Sequence, residues 1–121
     1  MGGLDFQRRV ADWLAACFGH GRDAEPLERA YRLLEEALEL AQACGCEERD
    51  AHRLAEYVFA RPPGGVQEEV GGVMVTVAAL CAAVGVDMAA AAEVELDRDW
   101  ARIDEIRSKA EHWASSTPLP P

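Results

Sequence analysis

The sequence VGGVMVTVAALCAAVGV, residues 70–86, contains no charged side chain. A membrane-spanning helix needs about 20 apolar residues, whereas this run has 17 residues that include three glycines and a threonine. A single buried strand, which the valines would favour, is usually much shorter. We therefore predict an α-helix over Val66–Val84, buried on all sides as the central helix of a bundle and the most buried helix of the protein.

Helix boundaries are predicted on the C-terminal side of this stretch. Gly85 is a suitable residue to end the helix, and Asp87 is a suitable N-cap for the next one. The last helix is predicted over residues 88–113, because apolar side chains recur there at helical spacing. These side chains are Ala92, Leu96, Trp100, Ile103, Ile106, Ala110 and Trp113.

Three further helices are predicted on the N-terminal side. The RPPGG sequence at residues 61–65 breaks the chain after a short helix over residues 47–60. Before it, Pro26 suits the first turn of a helix that runs to Cys44 and stops at Gly45. A first helix is predicted over residues 5–18, with Asp5 as its N-cap.

These elements predict an all-α protein with four main helices in an antiparallel-type bundle and one short extra helix. Residues 1–114 are predicted to form a single domain, and residues 115–121 an extended tail. A subunit of 121 residues cannot easily enclose an almost uncharged helix of this length. We therefore expect a homo-oligomer, either a homodimer or a homotetramer.

Charge and cysteine usage narrow the functional classes. The chain has 12 basic and 22 acidic residues, a net charge of −10, which disfavours binding to nucleic-acid phosphates. The four cysteines form no regular disulfide framework, and the N-terminal sequence lacks the features of a secretory leader. We predict reduced thiols and a cytoplasmic protein that binds neither nucleic acid nor membrane.

Two clusters of glutamates are the main candidates for functional residues in the sequence. Residues 35–39, EEALE, form an E-E-x-x-E motif in which Glu36 and Glu39 lie on neighbouring turns of one helix face. Glu68 and Glu69 open the apolar helix about thirty residues later. Carboxylates from two helices are the hard oxygen ligands that Mg²⁺ prefers, although E-E-x-x-E alone is more often a solvated helix face.

Together with longer segments, these motifs resemble the MazG-like family of all-α nucleoside triphosphate pyrophosphohydrolases. The family pattern is E-E-x-x-E on one helix, followed by E-x-x-D on another. The resemblance covers most of the chain. The segments that carry it look like those of a compact branch of the family found in bacteria and their phages. Its segments are RLLEEALELAQA at residues 32–43, YVFARP at 57–62, QEEVGGVMVTVAALC at 67–81 and IRSK at 106–109.

The resemblance implies a metal site and a catalytic carboxylate. Glu36, Glu39 and Glu69 correspond to Mg²⁺ ligands, and Glu35 to the leading glutamate, which could orient or deprotonate water. The aspartate of E-x-x-D falls on Gly72, which has no side chain to coordinate metal. Three residues could replace it: Glu68, Asp97 and Asp99.

The implied reaction is hydrolysis of a nucleoside triphosphate to a monophosphate and pyrophosphate, in a house-cleaning role. Basic residues must then offset the substrate phosphates, and the last helix offers Arg102, Arg107 and Lys109. These three residues could equally pair with acidic neighbours on their own helix. The alternative function is a MazG-like module with weakened catalysis that binds nucleotides or promotes oligomerisation.

Overall fold

The computed structural model describes residues 2–19 and 25–110, and all regular structure in these ranges is α-helical. The all-α prediction is confirmed. The helices of this part of the chain are α1 (Gly2–Phe18), α2 (Pro26–Ala43), α3 (Glu48–Phe59), α4 (Val66–Val84), α5 (Met88–Ala101) and α6 (Ile103–Ala110).

Local backbone chemistry sets the predicted ends of α4 and the start of α5. Gly85 adopts a left-handed conformation with φ 74°, and its N–H donates to the Cys81 carbonyl. The Asp87 carboxylate then accepts a hydrogen bond of 2.9 Å from the Ala90 N–H. A left-handed glycine and an acidic N-cap are favourable helix ends, so both predictions are confirmed.

Two predicted helix features are wrong. Asp5 is not an N-cap, because α1 begins at Gly2 and Asp5 lies in its first turn. The last helix is divided at Arg102, whose φ of −113° and ψ of 24° depart from helical values. The predicted seam residue Trp113 and the predicted tail over residues 115–121 lie outside the described residues.

The chain divides into two compact units. The terminal unit comprises Met1–Glu25 and Val86–Pro121, and contains α1, α5 and α6. The central unit comprises Pro26–Gly85, and contains α2, α3 and α4. The single domain expected over residues 1–114 stays a prediction.

The terminal unit has a small buried core, and an ion pair on its surface joins two of its helices. Cys17 and Leu96 are buried, with 5% and 4% of their surface exposed. The Arg9 guanidinium donates two hydrogen bonds to the Glu93 carboxylate, at 2.8 and 2.6 Å, and so joins α1 to α5. This contact lowers the pKa of Glu93 below its ordinary value and raises that of Arg9. The burial of Cys17 places its thiol in this core.

The central unit has no buried residue on α2, α3 or α4. Large apolar side chains are exposed on all three helices, and we call this set the apolar surface of the central unit. Its members are Leu27, Leu33, Leu34, Leu38, Leu40, Leu54, Tyr57, Val58, Phe59, Val66, Val70, Val73, Met74, Val75 and Val84.

The prediction that α4 is the most buried helix is therefore wrong for the single chain. The absence of charge from residues 70–86 predicts burial of this segment, but it does not specify which part of the molecule or its surroundings would cover it. Within one chain, neither α2 nor α3 covers it. Among the described residues, α4 is the one helix long and apolar enough to cross a membrane, a property that core helices of water-soluble proteins share.

Candidate functional site

The three predicted carboxylates of α2 are solvent-exposed. Glu35, Glu36 and Glu39 all lie within Pro26–Ala43, and each is classed as exposed. Glu36 and Glu39 are three residues apart, so their side chains leave neighbouring turns of one face. The helix therefore presents these two carboxylates together, as predicted from E-E-x-x-E.

Arg32 positions Glu35, and this role was not predicted from the sequence. Its guanidinium donates to Glu35 at 3.1 Å and to Glu28 at 2.9 Å. The Arg32 and Glu28 side chains are 18% and 20% exposed, whereas Glu35 is half-exposed. The i,i+3 and i,i+4 spacing of these residues is the sequence signal that could have identified the cluster.

Glu69 lies in the first turn of α4, as predicted, and its side chain folds back over the preceding loop. A β-carbon built on Gly64 would come within 2.5 Å of Glu69 Oε2. Glycine at position 64 thus leaves the space that this carboxylate occupies. A negative group in the first turn is also favoured by the helix dipole.

The single chain does not bring the predicted ligands together. Across residues 2–19 and 25–110, no group of three or more His, Cys, Asp or Glu side chains is placed to hold one metal ion. Glu36, Glu39 and Glu69 therefore do not form a magnesium site within one copy. As placed within residues 2–19 and 25–110 of one chain, the carboxylates do not fit the metal that the resemblance implies.

The candidates to replace the missing aspartate lie in different environments. Glu68 is exposed beside Glu69 on α4. Asp97 and Asp99 belong to the terminal unit, where Asp99 lines an apolar groove between α1 and α5 with Trp13. A β-carbon at Gly72 would meet no atom within 4 Å, so the chain has room for a side chain at that position.

Arg107 has a structural partner. Its Nε donates to the Cys17 carbonyl at 2.9 Å, and its Nη2 donates to the Ala16 carbonyl. These carbonyls belong to the last turn of α1, where a helix has unpaired acceptors and favours positive charge. The structure thus places Arg107 as a cap of α1.

The other two predicted phosphate-binding residues are exposed. Arg102 Nε lies 3.5 Å from Glu105 Oε2, which is one of the pairings with acidic neighbours considered above. Lys109 is exposed near the end of α6. Glu111, the acidic residue two positions after Lys109, lies outside the described residues.

No protein-family model, curated protein or solved structure matches this chain. The resemblance to the MazG-like family therefore rests on the motifs quoted above and on the helices that carry them.

Proposed function

We propose that this chain is a magnesium-dependent nucleoside triphosphate pyrophosphohydrolase. The reaction converts a nucleoside or deoxynucleoside triphosphate and water to the monophosphate and pyrophosphate. The observation that carries the proposal is the position of the two acidic motifs on separate helices of one unit. Glu36 and Glu39 lie on consecutive turns of α2, and Glu69 lies in the first turn of α4.

The hydrolysis breaks the bond from the α-phosphorus to the oxygen that bridges to the β-phosphate. Water supplies the new oxygen on the α-phosphorus, and pyrophosphate is the leaving group. Glu35 is the proposed acceptor of the water proton. Its contact with Arg32 at 3.1 Å supports this role, because a general base needs a neighbour that fixes its orientation.

The proposal includes a cytoplasmic homo-oligomer with a helical-bundle arrangement. Glu36, Glu39 and Glu69 are the proposed Mg²⁺ ligands in an assembly that brings them together. Binding of substrate phosphates by Arg102 and Lys109 stays a prediction of the resemblance. The contacts of Arg107 with α1 favour a structural role for that residue.

Pyrophosphate release from a panel of nucleoside triphosphates, with and without Mg²⁺, tests the proposal. Glu36→Gln and Glu39→Gln keep size and hydrogen-bonding capacity but remove a charge. Each is expected to lower magnesium-dependent turnover by on the order of 100-fold or more, with unchanged helix content by circular dichroism. Glu56→Gln, an exposed glutamate on α3, is the matched control and should keep wild-type turnover.

The alternative function is a nucleotide-binding or oligomerisation module with weakened catalysis. Two observations favour it: Gly72 supplies no carboxylate, and the proposed ligands do not converge in one chain. Such a module would show a nucleotide-dependent rise in melting temperature without pyrophosphate release. A plain oligomerisation domain would show neither. Wild-type turnover by both glutamine variants would contradict the proposed site.

A further inference from the structure

Two cysteines flank a single glycine at the turn that follows α2. Cys44 is exposed and Cys46 is partly buried, and both are free thiols. Of the other cysteines, Cys17 is buried in the terminal unit, and Cys81 lies on α4 in a partly buried position. Cys44 and Cys46 are therefore the one pair of thiols that are close neighbours along the chain.

The backbone holds these two cysteines on either side of a tight turn. The Cys46 N–H donates to the Ala41 carbonyl at 2.9 Å. The Gly45 N–H donates to the Gln42 carbonyl at 3.0 Å. This pattern is a Schellman motif, in which Gly45 takes the left-handed position with φ 100°.

The turn brings the two cysteines within the span of a disulfide. Consecutive Cα atoms are about 3.8 Å apart, so a bend at Gly45 holds the Cα atoms of Cys44 and Cys46 at well under twice that separation. Disulfides span Cα separations of about 4.4–6.8 Å. A glycine between the cysteines also lets the backbone adjust as a small ring closes, because it has no β-carbon to clash.

A pair of thiols can bind a soft metal ion or be oxidised to a disulfide, and the surroundings favour oxidation. Zinc needs further ligands besides two thiolates. Across residues 2–19 and 25–110, no group of three or more His, Cys, Asp or Glu side chains is placed to hold one ion. Disulfide formation needs no third side chain.

We propose that Cys44 and Cys46 form a redox-active dithiol, which a low-molecular-weight disulfide oxidises to an intramolecular disulfide. Cys44 is the more exposed of the two, so its thiolate attacks one sulfur of the small disulfide and releases the other as a thiolate. The thiol of Cys46, which donates to the Glu47 carbonyl at 3.6 Å, then loses its proton and attacks the Cys44 sulfur. The second small thiolate leaves. The protein loses two electrons and two protons, and one small disulfide becomes two thiols.

A disulfide at this exposed turn is expected to be reversible. Exposed or strained disulfides are more oxidising than buried structural ones, and disulfides in reducing compartments are usually transient or redox-sensing. The dithiol should therefore stay reduced in the proposed cytoplasmic location until the ratio of small disulfides to thiols rises. The inference does not depend on the proposed hydrolysis, since neither cysteine belongs to the proposed site.

Acidic side chains beside the turn select the charge of the small disulfide. Glu47 and Glu48 directly follow Cys46 and are exposed, and the last turn of α2 adds the negative end of a helix dipole. The Arg49 guanidinium lies 3.6 Å from the Asp50 carboxylate, which balances its charge. A disulfide that carries amino groups, such as cystamine, is thus attracted to this turn, whereas oxidised glutathione, which carries carboxylates, is repelled.

Mass spectrometry of the reduced, folded full-length chain after incubation with cystamine tests the dithiol. The wild type should lose two hydrogens, keep no cysteamine on either residue, and yield a peptide in which Cys44 and Cys46 are joined. Cys46→Ser cannot complete the second step and should keep one cysteamine on Cys44. Cys81→Ser is the matched control outside the pair and should behave like the wild type at the turn.

Two results would overturn the dithiol. One is a wild-type chain that keeps cysteamine on Cys44 while Cys46 stays reduced, because the two thiols would then fail to meet. The other is a disulfide that joins two copies of the chain instead of two residues of one copy.

The ratio of the reaction rates with cystamine and with oxidised glutathione tests the charge preference. Glu47 occupies the N-cap position of α3 without a side-chain cap hydrogen bond, so Glu47→Gln removes a charge and no such bond. It should lower the ratio by roughly 2–3-fold at low salt, and the difference should shrink at high salt. Glu56→Gln, about two turns further along α3, should change the ratio much less. An unchanged ratio in Glu47→Gln would overturn the preference for a cationic disulfide.

Discussion

The terminal and central units differ in how they meet the requirement to bury apolar surface. The terminal unit buries Leu96 and Cys17 and joins α1 to α5 through Arg9 and Glu93. The central unit buries no residue on its three helices, although it contains the most apolar of them, α4. The terminal unit thus has a core within one chain, whereas the large apolar side chains of the central unit are exposed in one chain, and we propose that a second copy covers them.

Removing a core side chain of the terminal unit should have the largest effect. Leu96 is 4% exposed, so Leu96→Ala deletes buried methyl groups and leaves a cavity. We expect a loss of about 2–5 kcal/mol in the free energy of unfolding, measured by urea denaturation. The loss should be the same at low and high protein concentration, because this core lies within one chain. A loss that shrinks with concentration would contradict the assignment.

The second-largest effect is expected from introducing the same substitution, Val→Glu, into each of the two units and comparing self-association. Val75 on α4 is 71% exposed and Val94 on α5 is 59% exposed, so Val→Glu places a new carboxylate at an exposed position of each unit in a single chain. Val75→Glu should weaken self-association by on the order of 100-fold, because the interface would bury an unpaired charge. Val94→Glu should leave association unchanged. Equal effects of the two variants on sedimentation would remove the distinction between the units.

Replacing Arg107 tests whether the stability of the terminal unit depends on the hydrogen bonds that this residue donates to the C-terminal end of α1. Arg107→Ala removes two hydrogen bonds to carbonyls of the last turn. We expect about 1 kcal/mol lower stability in the absence of nucleotide, seen as a lower melting temperature. Lys109→Ala on the same helix is the control and should melt like the wild type. If Arg107 acts only on substrate, its variant will also melt like the wild type.

Replacing Gly72 should have the smallest effect on stability, and it directly probes magnesium binding by the central unit. A side chain there meets open space in one chain, and replacing glycine gains up to ~0.5 kcal/mol of helix propensity. An aspartate three residues after Glu69 would share a helix face with it and add a carboxylate to the proposed metal ligands, so Gly72→Asp should tighten magnesium binding in a calorimetric titration.

Gly71→Asp is the matched control for this variant. Position 71 is equally open and gains the same helix propensity, but its side chain leaves the helix about 100° away from that at position 72. It should leave magnesium affinity unchanged. Unchanged affinity in Gly72→Asp with a large drop in melting temperature would mean that the fourth ligand comes from elsewhere and that glycine is needed for close packing between copies.

Several helix ends were predictable because they depend on residues next to them in sequence, although the N-cap predicted at Asp5 was wrong. Pro26, Gly85 and Asp87 each act through their own backbone geometry or a hydrogen bond within a few residues. The division at Arg102 was missed, since no glycine, proline or capping residue marks it. Its neighbours continue the apolar periodicity that predicted one helix over residues 88–113.

The candidate site was predictable only in part. The spacing of Glu36 and Glu39 predicts their shared face, because helix geometry alone determines it. The role of Arg107 could not be read from the sequence, since its partner Cys17 lies 90 positions away. The burial of α4 was misjudged for a similar reason: an apolar pattern shows that a surface avoids water, whereas its cover depends on tertiary or quaternary contacts.

The proposed homo-oligomer requires that a second copy of this chain covers the apolar surface of the central unit. Sedimentation velocity of the wild-type chain at micromolar concentration tests it most directly. We predict a species of at least twice the chain mass of 13.2 kDa, which Val75→Glu shifts toward the mass of one chain. A compact monomer at that concentration, with the same sedimentation coefficient in both proteins, would contradict the claim.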